Sequence, residues 1–196
     1  PFEKKGHYAT IGNKKYSVYL DSQANVVYFF DASSEYKANV GLVTTRPVIG
    51  IMSVDNYDDL EDVVSDSDIS SINGFIANFV EEFSEKYHMF YRRVGMDRFY
   101  LFTDYTVLEQ LMDSKFSLID QFREEAKNRE LPITVSMGFS YGDRNHDEIG
   151  KVALSNLNLA EVRGGDQAVV RENDEGKNPV FFGGGTASAI KRTRTR

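Results

Sequence analysis

The sequence predicts an α+β fold: a mostly antiparallel sheet carrying helices, preceded by a short run of strands. Three observations predict it. "VIGIMSV" (48–54) is an apolar run, the mark of a central strand buried on both faces. "ISSINGFIANFVEEFSEKY" (69–87) sets Ile72, Phe75, Ile76, Phe79 and Phe83 at helical spacing. "HMFYRRV" and "RFYLFTD" are strand-like runs joined through Gly95, which reads as a hairpin with a charged tip.

The other elements follow in chain order. Residues 7–33 read as two or three short strands: Tyr16, Val18 and Leu20 alternate, Asn13 sits at a turn, and Val26 to Phe30 is a second apolar run. Asp31 or Ser33 is placed to cap a short helix through Glu35 to Val40, and Pro47 marks a boundary. Some forty residues of strand bury too little surface to stand alone, so residues 1–46 are expected to be the end of a larger sheet. Its apolar, unpaired strand surface predicts self-association. Beyond the hairpin, residues 107–131 predict one helix with Leu108, Leu111, Phe116, Leu118 and Phe122 inward. "ITVSMGFSYG" (133–142) is a strand, and residues 146–163 form a helix stopped by Gly164-Gly165. "QAVVRE" and "PVFF" are late strands. The order βα–ββ–αβ–αβ resembles a ferredoxin-like core with additions.

Bulk properties exclude several functions. The 196 residues suffice for one good domain plus extra, and 41% hydrophobic content supports a packed core. A formal charge of −7 argues against a general nucleic-acid partner, because phosphate neutralisation needs surplus Lys and Arg. The absence of Cys excludes disulfides and thiolate metal sites. No apolar run approaches the ~20 residues of a membrane helix. His7, His88 and His146 are too scattered for a metal cluster. Gly183-Gly184-Gly185 lacks the G-K-[ST] of a phosphate loop and reads as linker. Lys191, Arg192, Arg194 and Arg196 read as a truncated helix start, and the abrupt opening at Pro1-Phe2 reads as a piece of a longer chain.

The hairpin resembles a known signature. A strand, a helical stretch and a turn of form R-x-G-G-D/E-E-F some forty residues on resemble the GGDEF domain of diguanylate cyclases, a nucleotidyl-cyclase core with a ferredoxin-like sheet. Gly95-Met96-Asp97-Arg98-Phe99 matches that turn with two of five positions changed, and Ser53-Val54-Asp55-Asn56-Tyr57-Asp58 stands where the family has D-x-D-x-F-K. Arg163-Gly164-Gly165-Asp166 looks closer to the signature, but it follows an apolar-periodic helix and reads as a helix stop. The resemblance implies divalent metals held by the first strand Asp and the acidic third position of the turn. Ser53 replaces that Asp with a neutral hydroxyl, Met96 crowds the approach, Arg98 reverses the charge of a guanine-reading position, and Asp58 replaces a phosphate-binding Lys. Cyclase activity is therefore expected to be absent.

The degenerate turn, the downstream "RGGDQ" and the flanking segments together resemble the membrane-bound cyclic di-AMP phosphodiesterases of the GdpP type. That resemblance implies three parts: the end of a PAS domain and its exit helix at 1–46, a degenerate GGDEF domain at 47–176, and a linker at 177–196 towards a DHH/DHHA1 phosphodiesterase domain. It implies a cell-membrane protein with this portion on the cytoplasmic side, and haem in the complete PAS domain but not here.

Site candidates follow. Gly95, Asp97, Arg98 and Arg93 are the nucleotide-binding candidates, for ATP or GTP, with Arg92 a third basic neighbour. Asp55 and Asp97 are the candidates for Mg or Mn accompanying a nucleotide; alternatively Asp97 only supports the turn and Asp55 caps the next helix. Seven acids without Lys or Arg between Asp55 and Asp68 read as a solvated loop. No catalytic residue is assigned. Three functions remain open: a regulatory module that binds a nucleotide or relays a signal, a weak metal-dependent ATP hydrolase, and a structural dimerisation module. A homodimer is the expected assembly.

Overall fold

The computed structural model describes residues 8–21, 26–61, 64–142 and 145–184. The chain divides into two compact units, Pro1–Thr45 and Arg46–Arg196.

In the first unit, β1 (Tyr8–Ile11), β2 (Lys14–Asp21) and β3 (Val26–Asp31) form an antiparallel three-stranded sheet followed by α1 (Ser33–Thr44). Ile11 pairs with Lys14 across a two-residue turn, and Gly12 supplies its positive φ of 63°. The start of α1 is tied to β2: the Ala32 N–H donates to the Lys15 carbonyl at 2.9 Å, and Ser33 Oγ accepts the Lys15 N–H at 3.0 Å. Ser33 is thus the first residue of the helix, which runs longer than the expected 35–40. Every residue of β3 is exposed, apolar Val26 to Phe30 included.

The second unit holds the site. Its sheet has six strands in the order β5-β6-β4-β7-β8-β9. These are β4 (Pro47–Asp55), β5 (Phe90–Arg93), β6 (Arg98–Asp104), β7 (Thr134–Tyr141), β8 (Gln167–Glu172) and β9 (Val180–Gly183). Only β7 and β8 run parallel. The sheet is therefore the mostly antiparallel one the sequence predicts. β9 is the late strand read at "PVFF": Val180 to Gly183 pair with β8, so the sheet runs on into the stretch 177–196 expected to be linker.

Alternation along β4 sorts the two faces. Val48, Met52 and Val54 join the main core with α3 (Asp66–Lys86), α4 (Tyr105–Asp113) and α5 (Ser117–Asn128). Ile49 and Ile51 face the other way, against Ile149, Ala153 and Leu157 of α6 (His146–Val162). A short α2 (Tyr57–Glu61) lies within the acidic stretch.

The single helix expected over 107–131 is two helices. Lys115 and Phe116 both adopt φ of 54°, which ends α4 and turns the chain. The turn drives Phe116 inward, where its ring packs 5.5 Å from Phe139 and 5.1 Å from Phe182, centroid to centroid. Burying that ring offsets left-handed backbone that costs roughly 1–2 kcal/mol per residue.

Helix α6 lies so close to β7 that Gly138 has no room for a side chain: an added Cβ would collide with the backbone of Leu157 and Ala153. We expect Gly138→Ala to lower the unfolding free energy by about 2–3 kcal/mol. Urea denaturation would show this as a lower midpoint at an unchanged slope. A loss below about 0.5 kcal/mol would mean that the contact relaxes freely.

Candidate functional site

The hairpin β5–β6 carries four of the predicted residues. Arg93 pairs with Phe99, and the Val94 N–H donates to the Arg98 carbonyl at 3.0 Å, closing the turn. The Arg93 side chain folds back over this turn. Its Nε donates to the Gly95 carbonyl at 2.9 Å, and its Nη2 to the Met96 carbonyl at 2.6 Å and to Asn73 Oδ1 at 2.7 Å. The guanidinium also lies 5.4 Å from the centre of the Phe99 ring. Asn73 Oδ1, on α3, takes a further hydrogen bond from the Tyr57 hydroxyl at 3.0 Å. Arg93 therefore clamps the turn, with its donors directed at protein acceptors.

Asp97 docks the tip of the turn on β4. Its carbonyl accepts the Val54 N–H at 2.9 Å, and its carboxylate accepts from Ser53 Oγ at a long 3.5 Å. Arg98 stands opposite Ser53 in the β4–β6 register. Its Nε is buried without an acceptor, and its Nη2 lies 4.0 Å from Glu161 of α6.

Asp55 is two residues beyond Ser53, on the same face of β4. Its carboxylate accepts from Thr134 Oγ1 at 2.8 Å, from Ser136 Oγ at 2.8 Å and from the Asp166 N–H at 3.0 Å. Burial pushes the Asp55 pKa above the ordinary 3.8; these three donors oppose the shift, and the charge of Asp166 adds to it. Asp166 in turn grips Arg123 of α5 bidentately, with Nε–Oδ2 at 2.7 Å and Nη2–Oδ1 at 2.9 Å. Gly165, at φ 79°, leaves the space that Asp55 fills: an added Cβ would lie 2.7 Å from Asp55 Oδ2.

The Arg163-Gly164-Gly165-Asp166 turn is thus the helix stop the sequence predicts, its Gly165 N–H donating to the Ala160 carbonyl at 3.0 Å. It is also an anchor that sequence reasoning misses. No sequence signal links Asp55 to a backbone N–H 111 residues away. Asp55 caps no helix here, and its carboxylate is engaged with β7 and the start of β8. The structure brings Asp97 to Ser53 and Asp55 to Asp166, and the two carboxylates share no recorded partner. Among the described residues no group of three or more His, Asp or Glu is placed to hold a metal ion. No helix among the described residues is long and apolar enough to cross a membrane.

Comparisons with known proteins agree with this architecture. The family model for "Cyclic-di-AMP phosphodiesterase GdpP-like, GGDEF domain" matches residues 52–180. The chain is 32% identical to the cyclic-di-AMP phosphodiesterase GdpP of Geobacillus thermodenitrificans over 100% of its own length and 30% of that protein. It is 29% identical to the cyclic-di-AMP phosphodiesterase PdeA of Listeria monocytogenes, over 93% of the chain and 27% of the relative. It spans under a third of these relatives. Among solved structures, the active GGEEF domain of a Vibrio cholerae diguanylate cyclase superposes with a TM-score of 0.53 at 18% identity, covering 69% of this chain and 89% of that one. The adenylyl cyclase CyaB of P. aeruginosa gives 0.51 at 10% identity, over 64% and 76%. At these identities the likeness establishes the fold alone.

The two acids should respond differently to truncation. Asp55→Ala leaves an N–H and two hydroxyls buried without an acceptor, and we expect a loss of about 3 kcal/mol in urea unfolding. Asp97→Ala should cost less than about 1 kcal/mol, because its side chain accepts one long bond at a half-buried tip. Similar losses would mean that Asp55 is not the structural acid. The stability of wild type relative to Asp55→Asn should also fall as pH rises from 3.8 through the raised folded-state value, because the native state holds that proton longer than the unfolded chain.

Proposed function

Because the chain belongs to the GGDEF domains of the cyclic-di-AMP phosphodiesterase GdpP-like family, we propose that it is a regulatory module of such a phosphodiesterase, one that binds a nucleotide or relays a signal and makes no cyclic di-GMP. Its setting, on this reading, is the cytoplasmic side of a membrane protein, between a PAS sensor and a DHH/DHHA1 catalytic domain.

One observation supports this reading above the rest: where the strand and the turn meet, a Ser53 hydroxyl faces the Asp97 carboxylate at 3.5 Å. The resemblance to cyclases implies two acids at that junction. A hydroxyl brings no charge to hold a second ligand bond to a divalent ion. Asp55 does not substitute, since its oxygens already accept from Thr134, Ser136 and the Asp166 N–H. Arg93 does not substitute for a phosphate-binding cation either, since it holds the turn closed. A nucleotide at this turn would meet Asp97, the Arg98 guanidinium and the exposed Met96 side chain, a set suited to weak recognition and not to phosphoryl chemistry.

We expect no cyclic di-GMP from GTP with excess Mn²⁺, and none after Ser53→Asp alone, because groups that act as one catalytic unit are not repaired singly. Chromatography of the products decides it; turnover by Ser53→Asp would show that the site needs only its missing acid. Nucleotide binding is read by thermal shift with ATP or GTP, with and without Mg²⁺. A ligand at 100 times its Kd stabilises by about 2.7 kcal/mol. Asp97→Ala should remove any metal-dependent part of that shift. No shift with either nucleotide at millimolar concentration would leave signal relay and exclude the nucleotide.

A further inference from the structure

One methionine of this chain stands in solvent. The sequence has no Cys and five Met. Met52 and Met137 are fully buried, Met89 nearly so, and Met112 packs against the main core. Met96, at the tip of the β5–β6 turn, is 58% exposed. Small oxidants reach its thioether far more readily than the other four.

The nearest polar group to that sulfur is a guanidinium. Arg93 Nη2 donates to Met96 Sδ at 3.6 Å, besides its shorter bonds to the Met96 carbonyl at 2.6 Å and Asn73 Oδ1 at 2.7 Å. A thioether is a weak acceptor, so the sulfur contact adds little to the clamp. Arg93 Nε is taken by the Gly95 carbonyl, and Nη1 donates to none of the described residues. Donor capacity is therefore held in reserve beside the exposed sulfur.

We propose that Met96 is a site of oxidation by hydroperoxides, and that Arg93 captures the sulfoxide oxygen so that the turn closes more firmly. A lone pair of Sδ attacks one oxygen of hydrogen peroxide. The S–O bond forms as the O–O bond breaks, and the departing hydroxide takes the proton carried on the transferred oxygen, leaving as water. Sulfur loses two electrons and the peroxide gains them. The product is a polar sulfoxide in place of an apolar thioether. The unbranched side chain lets the new oxygen swing towards Arg93. A hydrogen bond from the guanidinium to that oxygen is charge-assisted, and so among the stronger kinds. Position makes the site specific: a sulfoxide on Met52 or Met137 would sit unpaired in the core, which is costly. Neither the oxidation nor the capture depends on whether a nucleotide binds.

Hydrogen peroxide treatment of the 196-residue chain, with oxidised positions located by peptide mass spectrometry, tests the site. We expect Met96 to gain one oxygen at least about tenfold faster than any other methionine. Amide exchange followed by NMR tests the capture. The Val94 and Gly95 N–H groups both donate to the Arg98 carbonyl, at 3.0 and 3.3 Å, and report opening of the turn. In the oxidised chain they should exchange about fivefold more slowly, the effect of one added hydrogen bond. The Gly165 N–H, bonded to the Ala160 carbonyl at the end of α6, should be unchanged. Oxidised Arg93→Lys should show no slowing relative to its own reduced form, because an ammonium lacks the fork that spans several acceptors. Peroxide should leave the exchange of Met96→Leu unaltered. Oxidation spread evenly over the five methionines would overturn the proposal. So would Val94 and Gly95 exchange that is unchanged or faster after oxidation, or that slows equally in Arg93→Lys.

Discussion

A carboxylate buried in a protein interior must be given donors or it will not stay ionised, and Asp55 is given three from two different elements. Thr134 and Ser136 fix β7 beside β4 at the end where the turn docks. The Asp166 N–H fixes the start of β8, and Arg123 then carries the linkage from Asp166 to α5. One side chain on the central strand thus joins two strands directly and a helix through a relay. The two glycines before Asp166 are part of the same constraint. Gly165 needs both its positive φ and its missing Cβ, because the Asp55 carboxylate occupies the space a side chain would take. Removing one partner from such a joint costs more than the joint contributes, since the others are left buried and unpaired.

The hairpin is rigid for a related reason. Arg93 spends its donors on two carbonyls of its own turn and on Asn73, so the tip is held by internal bonds with no ligand required. Binding tends to be tighter when less ordering has to occur on association. The turn is closed by its own arginine, and Asp97 and Arg98 are the charged groups it carries beside Ser53. The shape of the turn stands without a second acid at Ser53: Ser53 keeps its register with Arg98, and the Asp97 carbonyl docks on Val54.

Much of the fold is legible in local pattern. The run at 48–54, the Phe and Ile spacing of α3 and the two-strand reading of 88–104 depend only on periodicity, which acts over a few residues. The break at Lys115–Phe116 is not legible, because the residues there carry no Gly or Pro and the apolar spacing continues through it. What ends α4 is the space between Phe139 and Phe182 that receives the Phe116 ring, and both partners lie far along the chain. β9 is legible as the apolar run "PVFF", but its partner is not: the edge it pairs with, β8, is set by the tertiary structure.

The site divides in the same way. The sequence by itself determined which groups are present: Ser53 in place of an acid, Met96 and Arg98 in the turn, and the acids Asp55, Asp97 and Asp166. Residue identity settles charge and donor count before any folding. Only the tertiary structure decided how each acid is engaged. Asp55 and Asp97 look equivalent as metal candidates in the sequence, but one is enclosed by donors from β7 and the turn before β8 and the other sits at a half-buried tip. Likewise the turn that looks most like a signature, 163–166, serves as a structural anchor. The physical reason is distance along the chain: hydrogen bonds to Asp55 come from residues 79 to 111 positions away, and no local pattern encodes a partner at that range.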